Sequence, residues 1–144
     1  MRPTGGFELL DHRADIGIRA HGASIEEAFV QVARGMFSVM VDLESVQAIS
    51  TESIELDAGS ADLLLVDWLA NLLAEKDLSG LVFTQFDVHI VRSAGGWHLR
   101  GIAKGEALDS ERHRPHVEVK GISHMGLRVE RQRETWMAQC VLDV

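Results

Sequence analysis

The chain has no tyrosine, one cysteine and only two prolines in 144 residues. A lone cysteine, Cys140, cannot close an intrachain disulfide, so nothing points to an oxidising compartment. It sits in an alternating apolar run, where a small buried hydrophobe is a simpler reading than a nucleophile. Long hydrophobic runs are also missing. The most apolar stretch, Leu63 to Leu73, is interrupted by Asp67 and is far too short to cross a bilayer. The opening residues have no apolar core and soon meet Glu8 and Asp11, unlike a secretion signal. A cytoplasmic protein without membrane association is the expectation. Positive charge is scarce, at 14 Lys and Arg against 22 Asp and Glu, a net charge of −8. Nucleic-acid affinity comes largely from neutralising phosphates, so direct binding of nucleic acid is not expected. Nor is there a phosphate-binding Gly-x-x-x-x-Gly-Lys loop, a Gly-x-Gly-x-x-Gly turn, a His-Glu-x-x-His helix or a Gly-x-Ser-x-Gly elbow.

What is present reads as one folded domain over 1–144. Apolar residues make up 46% and charged residues 25%, a globular composition in a chain long enough to bury a core without staples. The acidic excess lies entirely before Arg112; from Arg112 onward there are six basic and four acidic residues. Ile16, Ile18 and Ala20 alternate with polar or small residues, the period of a half-buried strand. Ser24 and Glu27 form a capping box ahead of apolar residues spaced three and four apart from Ile25 to Met40, which predicts a helix. Ser60 caps a second helix, to about Glu75, apolar almost all round except for Asp67, Asn71 and Glu75. That stripe suits either a metal site or a narrow solvated edge, and the edge is the simpler reading.

Beyond residue 81 the period changes to two. A hairpin is predicted around Gly95-Gly96, followed by a polar connection from Glu106 to Pro115. Strands are then expected at Val117–Ile122, Leu127–Arg131 and Trp136–Leu142. Two helices and roughly seven strands, not in regular alternation, predict an α+β two-layer sandwich, with both helices on one face of a mixed, mainly antiparallel sheet.

Three constellations have chemical potential. His113 and His116, three apart among Arg112, Arg114 and Pro115, lack the further ligands zinc needs, so a solvated loop meeting an anion or a partner is expected there. Asp11, His12 and Asp15 fall within five residues and could offer hard oxygens to Ca²⁺ or Mg²⁺, or simply form an Asx-type turn. The third is Leu142-Asp143-Val144, where the Asp143 carboxylate lies beside the chain-terminal one. A frayed tail would explain it. Were this last strand to lie beside the one starting at Ile16, Asp15 and the C-terminus would meet, and mutual repulsion would call for a cation.

Asp11-His12-Arg13-Ala14-Asp15-Ile16-Gly17-Ile18 resembles the opening signature of the archease family, a DHTADIGI-like string. Ser24 to Phe29 is similar to its SLEEAF helix start, and Asp62 to Leu69 to its second helix. Gly105-Glu106 through Arg112-His113 resembles a GE…KH segment, and Val117 to Ile122 an EVKAIT strand; the ending in Asp143-Val144 resembles Asp-Ile. The resemblance covers nearly the whole chain after residue 6. It implies a non-catalytic accessory protein that binds a divalent cation, commonly Ca²⁺, and activates an RtcB-type RNA ligase in tRNA splicing or RNA repair. Such an activator promotes the ligase's guanylylation and multiple turnover. Carried over by position, the ligands are Asp15, Asp143 and Val144 through a backbone oxygen. Lys120 falls on a lysine associated with ligase activation, and Asp11, His12, His113 and Glu118 match recurrent positions in supporting roles. Arg13 stands where the family usually has Thr, placing a positive charge beside these ligands. The alternatives are a free-standing metal-dependent phosphoester enzyme using the same carboxylates, and a chaperone-like adaptor of an RNA-modifying enzyme. Homo-oligomerisation is left open.

Overall fold

The computed structural model describes residues 5–11 and 15–144, with only the backbone described at Asp11. Its elements in chain order are β1 (Gly6–Asp11), β2 (Asp15–Gly22), α1 (Ile25–Met40), β3 (Ser50–Ala58), α2 (Ala61–Ser79), β4 (Leu81–Ser93), β5 (Gly96–Ala107), α3 (Ser110–His113), β6 (Gly121–Gln132) and β7 (Thr135–Asp143). A single 3₁₀ turn at Leu43–Ser45 follows α1. The strands form a four-stranded sheet in the order β1-β2-β7-β6 and a three-stranded sheet in the order β3-β5-β4. Every pairing is antiparallel. The α+β class read from the sequence stands. What periodicity did not resolve is the division of the strands into two sheets.

Both helices form where their caps predict. The Ser24 hydroxyl accepts the Glu27 N–H at 3.1 Å, and the Glu27 carboxylate reaches back to the Ala23 N–H at 3.2 Å. The Ser60 hydroxyl accepts the Leu63 N–H, and α2 ends on Gly80 at φ 73°, a left-handed cap that glycine adopts without strain. Asp67 and Asn71 are exposed, so the polar stripe on α2 is a solvated edge. Helices α1 and α2 each touch both sheets, so a single core serves the helices and the two sheets. Gly35 lets α1 settle onto β2: a Cβ there would lie 2.8 Å from Ile18 Cγ2. Trp68, fully buried on α2, donates its indole N–H to the Phe29 carbonyl of α1 at 3.2 Å, and Phe37 meets Phe83 edge-on with ring centroids 5.5 Å apart. Asp62, in the first turn of α2, accepts the Val129 N–H of β6 at 2.8 Å, fixing that helix to the first sheet.

Two expected strands merge. Gly121–Gln132 is a single strand whose register against β7 shifts between Ser123 and Arg128, with Gly126 at φ 77° inside the irregularity. Residues 114–120, which include the first part of the strand expected from Val117, lie outside the sheet as a strap along the end of α1. The His116 N–H donates to the Met40 carbonyl at 2.8 Å and the Val117 N–H to the Val39 carbonyl at 3.3 Å. Among the described residues, no helix is long and apolar enough to cross a membrane.

Candidate functional site

β2 begins at Asp15 and β7 ends at Asp143, and the two are direct partners in the antiparallel register. The core sets that register. Ile18 opposes Cys140 and Ala20 opposes Ala138, all four fully buried, and a one-residue slip would turn this row out to solvent. Burial pushes the Cys140 thiol up to about 12, so it stays protonated and acts as a core hydrophobe. With Ile16, Ile18 and Ala20 facing inward, Asp15, Gly17, Arg19 and His21 belong to the outer face, as do Asp143, Val141 and Gln139 opposite them. The Arg19 Nε–H donates to Gln139 Oε1 at 2.9 Å along this outer row. Directly opposed residues have Cβ atoms about 4.5–5.5 Å apart, so the register brings two carboxylate-bearing residues to the same end of the sheet.

β6 closes the other flank. Gly121 is the partner of Asp143 on that side, and a Cβ there would stand 3.8 Å from Asp143 Oδ2, in ordinary contact with the carboxylate. Lys120, just before it, donates its backbone N–H to the Asp143 carbonyl at 2.8 Å. Asp143 and Lys120 are exposed, Asp15 and Val144 half-buried, and Val144 packs against the core. Asp11 ends β1 opposite Ile16, which places its backbone at the same end of the sheet. His12 and Arg13 lie outside the described residues. Glu118 is exposed on the strap.

Among the described residues, the ion pairs include neither Asp15 nor Asp143. Like charges directly opposed across two strands repel. Carboxylate and backbone oxygens are the donors that hard divalent cations take, so the donor set fits Ca²⁺ or Mg²⁺ better than a soft metal. No group of three or more His, Cys, Asp or Glu side chains is gathered for a metal among the described residues. The pair would therefore need backbone, water or partner oxygens to complete a coordination shell.

A second cluster, which the spacing of residues did not reveal, lies at the other end of the strap. Glu106 on β5, only 7% exposed, receives both guanidinium nitrogens of Arg112, at 2.6 and 2.8 Å. The same carboxylate accepts the His113 Nε2–H at 2.9 Å and the Gln47 N–H at 2.7 Å. His113 Nδ1 accepts the Asp109 N–H at 2.8 Å, which assigns the ring proton to Nε2. The Arg112 guanidinium, then His113, then the Gln47 N–H hold the Glu106 carboxyl well below the usual carboxylate range. The expectation of a solvated loop here is corrected: His113 is fully buried, because its two ring nitrogens have partners inside the fold. Its neighbour His116 is exposed, whereas both ring nitrogens of His113 are already engaged by Asp109 and Glu106. The sequence signal for the cluster was only the co-occurrence of Glu106 with Arg112-His113.

A cavity of about 590 Å³ lies elsewhere, on the outer face of the three-stranded sheet, lined in part by Glu55, His89, His98 and Arg100. It includes none of Asp15, Asp143 and Lys120, and follows the open face of that sheet.

Residues 7–144 match the model of the Archease protein family (MTH1598/TM1083). Protein archease of Thermococcus gammatolerans is 40% identical over 139 residues, covering 96% of this chain and 98% of its own. Protein archease of Pyrococcus abyssi matches at the same identity and coverage. The solution structure of Methanobacterium thermoautotrophicum protein 1598 superposes with a TM-score of 0.85 at 34% identity, covering 96% of this chain and 99% of that one. The crystal structure of the Thermotoga maritima archease, described as a possible chaperone, shares the fold with a TM-score of 0.60 at 16% identity, over 95% of this chain and 96% of that one. On this agreement along almost its entire length, the chain belongs to the archease family.

Proposed function

We propose that this protein is a non-catalytic accessory factor that binds a divalent cation, Ca²⁺ by preference, and activates an RtcB-type RNA ligase, promoting its guanylylation and multiple turnover in tRNA splicing or RNA repair. The observation that supports the reading best is the register that sets Asp15 opposite Asp143. Asp15, Asp143 and a backbone oxygen of Val144 would hold the cation. Ca²⁺ takes about six to eight oxygen ligands, so these residues leave positions for water or for oxygens of a partner. When bound, the cation would supply positive charge to neighbouring anionic groups.

The chain's own residues do the rest. β2 and β7 fix the two carboxylates from opposite sides of one ladder, and Gly121 presents no side chain in the same row. The exposed Lys120 adds a positive charge one residue away, tied to the same strand end by its backbone N–H. Asp11, His12 and Glu118 would support this surface, while His113 would act from inside the fold. The ligase would hold the nucleotide and RNA, consistent with the −8 charge of this chain.

The test is transfer of GMP to the ligase, with and without this protein, then with Asp15→Ala, Asp143→Ala and Lys120→Ala. Loss of stimulation in each variant is expected. Equal stimulation by all three variants would contradict the assignment, and hydrolysis of a phosphoester by this chain alone would favour the enzyme reading.

A further inference from the structure

The strap from Arg114 to Lys120 has no regular secondary structure, yet it is fastened along its length. The His113 carbonyl accepts the Asp42 N–H at 2.7 Å, His116 and Val117 donate to the end of α1, and Lys120 donates to Asp143. Val119 is buried in the core at 3% exposure. Arg114 starts the strap at φ 50°, a left-handed conformation that a residue with a Cβ keeps only when its surroundings hold it. The residues just before it are the ones locked by Glu106. Arg112 also donates to the Ser45 carbonyl at 2.9 Å, joining β5, the 3₁₀ turn and α3 at one point. Taking a carboxylate and an imidazole out of water is unfavourable unless all their partners are in place, and here they are: no buried side-chain polar atom among the described residues is left unpartnered.

We infer that Glu106, Arg112 and His113 are positioning residues: their cluster fixes the start of the strap and thereby sets where Lys120 stands beside the Asp15–Asp143 pair. The inference extends the proposed function, since it gives Lys120 and the carboxylates a shared support. None of the three touches the pair. They act through the backbone, from His113 through Arg114 to the hydrogen bond between Lys120 and Asp143.

The experiment is amide hydrogen exchange by NMR on the full chain without added metal, followed by calorimetric titration with Ca²⁺. Arg112 is half-exposed, so Arg112→Ala should keep the fold; His113→Asn is the second variant. In both, the Lys120 amide should exchange about tenfold faster or more, while the amides of the β2–β7 ladder keep their protection. Arg112→Lys should lie between, because an ammonium cannot bridge both carboxylate oxygens as a guanidinium does. The Ca²⁺ affinity of Arg112→Ala should fall below that of the unaltered protein. Unchanged Lys120 protection in both variants, or a uniform loss over the whole ladder, overturns the inference. So does a loosened Lys120 with undiminished Ca²⁺ affinity. If the unaltered protein takes up no Ca²⁺, the proposed function fails, and the exchange data alone still decide whether the cluster positions Lys120.

Discussion

Asp15 and Asp143, near opposite ends of the chain, stand directly across from each other on β2 and β7. Their pairing is a consequence of core packing one row away, where Ile18, Cys140, Ala20 and Ala138 are fully buried. Like charges on directly opposed residues repel, and a cation bound between them would turn that repulsion into attraction.

The stability effect of Asp143→Asn should therefore change sign with metal. In chelator, removing one of two opposed like charges should stabilise the protein by about 0.2–1 kcal/mol. With Ca²⁺ at a hundred times its dissociation constant, the unaltered protein should gain about 2.7 kcal/mol that the variant lacks. Thermal unfolding of both proteins in chelator and in Ca²⁺ checks this, and the same sign of difference in both conditions would exclude the site.

Glu106 should make stability depend on acid. In the unfolded chain a glutamate titrates at about 4.3, whereas Arg112, His113 and the Gln47 N–H hold the folded group far lower. As pH falls, the unfolded chain takes up the proton first, so stability falls with it. The contribution is complete above about pH 5 and drains away as pH drops towards the folded value. The gap in stability between the unaltered protein and Glu106→Gln should narrow steadily from about pH 5 to about pH 2, measured by urea unfolding. A gap that stays constant over this window would mean that the cluster is not ionised as described.

Gly101 on β5 has a steric reason to be glycine. A Cβ there would lie 2.5 Å from Trp68 Cζ3 and 2.9 Å from Cη2, and Trp68 is fully buried with its indole N–H bound to Phe29. Gly101→Ala should destabilise the fold by about 1–3 kcal/mol, the range for overpacking a tight core, and should perturb tryptophan fluorescence. An unchanged emission spectrum and midpoint would show that α2 and β5 are packed more loosely than described.

Much of the local structure was legible because it is written in short-range chemistry. Ser24 with Glu27, and Ser60 ahead of an apolar run, mark helix starts that form where the caps put them. The alternation of Ile16, Ile18 and Ala20 marked an inner strand face. The strap was misread because Val117 and Val119 alternate like a strand. Alternation reports an extended backbone with one side covered, and here α1 partners two of its N–H groups in place of a neighbouring strand. The Glu106 cluster was hidden for another reason: the pairing of a buried carboxylate is a property of three-dimensional neighbours, and a run of arginines and histidines reads locally as a wet loop. The meeting of Asp15 with Asp143 was conditional on strand order, which no periodicity specifies; family resemblance supplied the expectation, and β2–β7 pairing brings the two residues together.

The most direct test of the account is calorimetric titration of Ca²⁺ into the metal-free protein, repeated with Asp15→Asn and Asp143→Asn. Ca²⁺ should bind the unaltered protein, and binding should be lost in both variants while their folds persist by circular dichroism. Absence of binding in the unaltered protein, or binding of equal affinity in the variants, would contradict it.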